Sequence, residues 1–174
     1  LIALGYIVGK CLKKQPMISG SGIPQVEGIL TRNLKMNWFS VLMYKFVGGL
    51  ICLCAGLSVG REGPSVQMGA CIGEGVSKNL KNLDNEEKYL ITSGASAGLS
   101  AAFNAPLSGV MFALEEAHKN FSPLVLTSAM IASISADFVS KQFFGLIPSL
   151  DFRKVEPLPV SYTHLRAHET RSNL

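Results

Sequence analysis

An all-α, polytopic membrane fold of short and broken helices is what this sequence predicts, and three observations carry the expectation. Charged residues make up only 16% of the 174-residue chain, against about 25% in soluble domains. The charges also leave long gaps: residues 89–114, 46–60 and 121–136 hold no Asp, Glu, Lys or Arg, in runs of 26, 15 and 16 residues. Finally, Gly and Pro interrupt the apolar runs, whereas strict apolar–polar alternation is nowhere found. A spanning helix needs about 20 mostly apolar residues, so the first run is expected to suffice alone and the others with help from their neighbours. The polar residues of that first run are small: Thr92, Ser93, Ser96, Ser100, Asn104 and Ser108. Side chains of this kind serve closely packed membrane helices.

Seven helices follow in order. The first, 1–13, is apolar until Lys10, Lys13 and Lys14. A Ser-Gly-Ile-Pro start leads into 23–31, and a segment containing the second charge-free run gives 38–57. Glu62-Gly63-Pro64 opens 63–80, which ends as the charges from Lys78 to Lys88 begin. The longest run supplies 86–102 and, after Asn104-Ala105-Pro106, 105–117; the third run gives 122–143. Interrupted backbone at membrane depth persists only where protein buries it or where it lines a watery cavity, so these breaks point to a transport pathway.

Composition excludes several classes. Intrinsic disorder would require fewer apolar residues than the 48% present. The net charge of +4 is spread along the chain without a dense basic patch, so no nucleic-acid partner is expected. Cys11, Cys52, Cys54 and Cys71 do not form a secreted disulfide framework; three of them lie inside apolar runs, where a thiol reads as buried and free. The chain opens at Leu1, already within an apolar stretch, and is expected to be a piece of a longer protein.

Three places share one local design. Ser21-Gly22-Ile23-Pro24, Glu62-Gly63-Pro64 and Asn104-Ala105-Pro106 each set a capping residue shortly before a proline, which the first helical turn tolerates. The first N–H groups of a helix lack intrahelical partners and carry about half a positive charge, which makes an anion site without metal or lysine. Glu62 is the most informative residue in this setting. Its carboxylate is expected to lie in a dry interior, at the place a permeating anion would occupy. Protonation would vacate that place and load one proton, so a single Glu could link anion and proton passage.

These stretches, together with residues 94–116 (GASAGLSAAFNAPLSGVMFALEE), resemble three signatures of the CLC chloride channels and transporters, bacterial H+/Cl− exchanger type. The likeness covers roughly residues 1–151. It implies an all-α dimer built from an inverted repeat, of which this chain would be the first half, residues 1–159 forming a partial transmembrane domain. By this resemblance the protein is a multi-pass component of the cell membrane, with chloride, protons and the lipid bilayer as its partners and no cofactor. Ser21, with Gly22 and Ile23, matches the central chloride site; a proline at Ser21 would go with nitrate preference. Arg61 and Gly63 join the chloride-binding set. Glu62 matches the gating glutamate, and Glu116 the inner proton-transfer glutamate of exchangers. Glu27 and Lys45 match a buried acid–base pair; Pro24, Pro64, Asn104 and Pro106 read as structural. Segments 105–117 and 122–143 resemble those at the family's dimer interface.

Residues 160–174 are polar and unrelated to the family; they resemble a translated adapter tail and stand outside the fold expectation. His164 and His168 are four apart but lack a third ligand, so no metal is expected. Other readings are weaker: Glu116 argues against a passive channel of the same family, and Ser21 and Arg61 against a fluoride exporter. No phosphate-binding Gly-rich loop supports a soluble enzyme. In a membrane scaffold the acids would only pair or cap.

Overall fold

The structure is a computed structural model and describes residues 2–57, 60–80, 84–119 and 122–145. Among these residues the architecture is all-α. Helices α1 (Ile2–Lys14), α2 (Ile23–Leu30), α3 (Trp38–Cys54), α4 (Glu62–Leu80), α5 (Asp84–Phe103), α6 (Pro106–Phe112) and α7 (Pro123–Phe144) follow one another. A 3₁₀ turn, Pro16–Ile18, links α1 to the loop before α2, and a π-helical turn, Ala113–His118, continues α6. The 160–174 tail, with its two histidines, lies outside the described residues.

Helix α5 is the centre of the packing, lying against α4, α6 and α7, and α4 in turn packs on α3. Glycine makes the α4–α5 approach possible. A Cβ on Gly69 would lie 2.1 Å from the Gly94 carbonyl oxygen, and one on Gly94 would lie 2.2 Å from the Gly69 carbonyl oxygen. The pattern repeats one turn away, where a Cβ on Gly73 would stand 2.2 Å from the Leu90 oxygen. Backbones so close exclude any larger side chain, a mode of packing typical of membrane helices.

Across the α5–α7 contact the buried hydroxyls pair. Ser96 and Ser133 share a hydrogen bond of 2.5 Å, and the Ser100 hydroxyl donates to the Ser133 carbonyl oxygen at 3.0 Å. Both partners being satisfied, burial of these polar groups carries no orphan penalty. Val26, Leu30, Val66, Ala70, Ile91 and Ala95 form the main apolar cluster between α2, α4 and α5.

The outward faces are apolar instead. Phe39, Met43, Phe46, Leu50 and Leu53 recur at helical spacing along α3 and are all exposed, as are Ile131, Ile134 and Phe138 on α7. A soluble monomer rarely leaves such continuous apolar stripes in water. Their layout suits a hydrocarbon surround.

The longest charge-free run is divided as expected, at Asn104, whose backbone adopts a left-handed conformation (φ 54°), and α6 restarts at Pro106. The expectation that this run suffices alone to span needs correction. Among the described residues the helix long and apolar enough to cross a bilayer is α7, of 22 residues. It runs past its 16-residue charge-free run, where Asp137 and Lys141, one turn apart, pair with each other. Nor are all the cysteines buried: Cys71 is, whereas Cys54 is exposed, all four being free thiols.

Candidate functional site

The loop between the 3₁₀ turn and α2 carries Ser21, and its four preceding carbonyls are all tied down. Gln67 Nε2 donates to the Met17 oxygen at 2.8 Å, and Gln25 Nε2 to the Ser19 oxygen at 2.9 Å. Lys45 Nζ donates to the Ile18 oxygen at 3.0 Å and to the Gly20 oxygen at 2.8 Å. With its carbonyl dipoles held by side chains of α2, α3 and α4, the loop can turn its amides toward α2's start. Gly22 makes the turn at φ 97°, a conformation natural only to glycine.

Helix α4 begins against this loop. A Cβ on Gly63 would fall 2.3 Å from the Ser21 carbonyl oxygen, so the two backbones touch. The N-terminal ends of α2 and α4 therefore meet at Ser21 and Gly63, with Glu62 as the first residue of α4. Two helix starts converging on one place concentrate partial positive charge there. Ser21, Arg61 and Glu62 are exposed beside it, whereas Gly22 and Gly63 are buried and Ile23 and Pro64 half-buried.

The expected dry environment of Glu62 is thus not met. Glu62 is exposed, so its carboxyl group reaches solvent. The guanidinium of Arg61 lies 5.5 Å from the centre of the Phe103 ring, a cation–π contact that fastens the α4 start to the end of α5.

The side-chain capping expected at the three starts is not realised either. Gly22 and Ala105 occupy the cap positions of α2 and α6, and neither helix has a side-chain cap bond. Glu62 is itself helical, and the Ser21 hydroxyl accepts only a long bond, 3.4 Å, from Ile23 N–H. The prolines do lie in the first turns of α2 and α6, Pro24 exposed and Pro106 half-buried.

Glu27 and Lys45 do not pair. Lys45 spends its donors on the Ile18 and Gly20 oxygens, as above, while Glu27 forms an ion pair with Lys119. The reason is geometric: Lys45 points inward from α3 to the Ser21 loop, whereas Glu27, near the last turn of α2, faces the π-helical turn. Lys119 is held above the ordinary lysine value of 10.5 by its hydrogen bond to Glu27 and by that carboxylate's charge, with a smaller effect from Glu116. Glu116, exposed on the π-helical turn, accordingly lies near Lys119 and Glu27.

Sequence reasoning misses Gln67, Gln25 and Lys119. Gln67 has a visible signal: it lies among Val66, Ala70, Cys71 and Glu74, on the inward face of α4, where a polar residue needs a partner. Among the described residues no group of three or more His, Cys, Asp or Glu could hold a metal.

The sequence model of the voltage gated chloride channel family matches residues 4–167. The H(+)/Cl(−) exchange transporter ClcA of Citrobacter koseri is 38% identical over 164 residues, covering 92% of this chain and 34% of that protein. The ClcA of Salmonella paratyphi B is 37% identical over the same length. Among solved structures, a slow cyanobacterial Cl−/H+ antiporter superposes with a TM-score of 0.79 at 36% identity, over 95% of this chain and 40% of the other. The chain spans about a third of the length of these curated relatives.

Proposed function

Since this chain belongs to the voltage gated chloride channel family, we propose that it is part of a multi-pass, homodimeric membrane protein that exchanges chloride for protons. One observation carries the reading: the Ser21–Gly63 contact, which brings the starts of α2 and α4 together beside Glu62. In this reading the Ser21 hydroxyl and the amides of Gly22 and Ile23 hold the central chloride, with Arg61 and Gly63 bordering its path. Partial charges of this kind attract the anion yet let it leave, where a full cation would retain it.

Glu62 competes with chloride for the α4 start while ionised and withdraws when protonated. The competition is strong only where the surroundings of the site have a low dielectric. Glu116, on the π-helical turn beside the Glu27–Lys119 pair, passes the proton onward. Its presence favours exchange over a passive channel. The residues of this chain alone do not make the complete pathway, so the segment by itself is inactive.

Reconstitution of a longer protein containing this segment into liposomes tests the reading. An outward chloride gradient should drive protons inward, and the zero-current voltage should follow both gradients. A zero-current voltage that follows the chloride gradient alone identifies a channel instead.

A further inference from the structure

Gln67 touches the Ser21 loop on both sides of the serine. It is fully buried, and its Nε2 holds the loop's entry through the Met17 oxygen at 2.8 Å. At the loop's exit, Gly22 leans on the same amide: a Cβ on Gly22 would lie 2.5 Å from Gln67 Oε1 and 2.8 Å from its Cδ. Among the described residues Oε1 has no hydrogen-bond partner. One side chain thus fixes where the chain enters the Ser21 turn and how closely it can leave it. It does so from α4, the helix whose first residue is Glu62.

We propose that Gln67 is a positioning residue of the anion site, setting the placement of the Ser21 hydroxyl and the Gly22 and Ile23 amides and so the affinity and selectivity for anions. The inference rests on the exchanger reading above. It does not require Gln67 to touch the anion. The buried amide fits the space that Gly22 leaves by having no side chain, and its single donor bond spans from α4 to the 3₁₀ turn. An anion bound by converging backbone N–H groups is sensitive to displacements of a fraction of an ångström, because hydrogen bonds weaken steeply with distance and angle.

The unpartnered Oε1 makes a clean test possible. Gln67→Met keeps length and volume, removes an unsatisfied acceptor and deletes the one donor, so the fold should be retained while the loop loses its anchor. In liposomes containing the longer protein, the half-saturating chloride concentration of Gln67→Met should rise about fivefold, as expected for one neutral hydrogen bond. The maximal rate should stay within about twofold, and the nitrate-to-chloride permeability ratio should rise about as much as the half-saturating concentration does. Gln67→Glu, with a carboxylate facing the Met17 oxygen, should move the same two quantities further in the same direction.

Unchanged affinity and selectivity in both folded variants would overturn the proposal. So would a fall in maximal rate with affinity intact, which a merely structural residue would give, or loss of folded protein in both. Failure of the unsubstituted protein to couple chloride to protons would instead reject the exchanger reading.

Discussion

Gly63 meets Ser21 backbone to backbone, leaving 2.3 Å between the place of a Cβ and the Ser21 carbonyl oxygen. The contact joins a helix start to a loop whose own carbonyls are held by Lys45, Gln67 and Gln25. Neither backbone can step aside cheaply. Gly63→Ala should therefore push α4 away from the Ser21 loop and destabilise the protein by about 1–3 kcal/mol. Thermal denaturation in detergent measures the loss, and chloride titration should show weakened binding in the same variant.

The α4–α5 seam gives a sharper contrast. Gly94→Ala would set a methyl group 2.2 Å from the Gly69 oxygen, and a cost of about 1–3 kcal/mol or more is expected. Gly49→Ala, in α3, meets nothing within 4 Å. There the helix should gain about 0.5–1 kcal/mol from reduced backbone freedom. Opposite signs in paired melting experiments would verify the seam.

Lys45 is buried and serves two carbonyls. Lys45→Met leaves the Ile18 and Gly20 oxygens without their donor, at a cost of about 1–3 kcal/mol per uncompensated group. Glu27→Gln should leave those bonds in place, because Glu27 is engaged with Lys119. Additive losses in the double variant, read by denaturation, would show that the two residues are uncoupled.

The Glu27–Lys119 pair carries a pH signature. Lys119 is raised above 10.5 in the folded chain by Glu27. A raised lysine stabilises fully below its unfolded value and loses that contribution as pH climbs through the folded one. Stability measured across the alkaline range should fall above pH 10.5, and Glu27→Gln should flatten that fall.

Much of the helical layout is legible in the amino-acid sequence. The break at residues 104–105 follows from Asn104-Ala105-Pro106, and the observed boundaries of α2, α4 and α7 lie close to those expected. The glycine signal is also readable, though only the folded chain pairs Gly69 with Gly94 and Gly63 with Ser21. What composition does not encode is which partner a charge selects. Lys45 reaches 25 residues back to the Gly20 oxygen, whereas Glu27, close to Ser21 in sequence, turns instead toward Lys119, 92 residues away. Side-chain capping fails as an expectation for a local reason: Gly22, at positive φ, takes the cap that Ser21 was expected to fill. The π-helical turn at Ala113–His118 has no sequence signal, since its residues would suit an ordinary helix equally well.

Proton coupling by Glu62 is the central claim, and one substitution addresses it directly. Glu62→Gln, in liposomes of a longer protein containing this segment, removes the titrating carboxylate while keeping the side chain's size. Chloride flux should continue while chloride-driven proton uptake disappears. Proton uptake at the unsubstituted rate in this variant would contradict the assignment of Glu62 as the group that chloride and protons share.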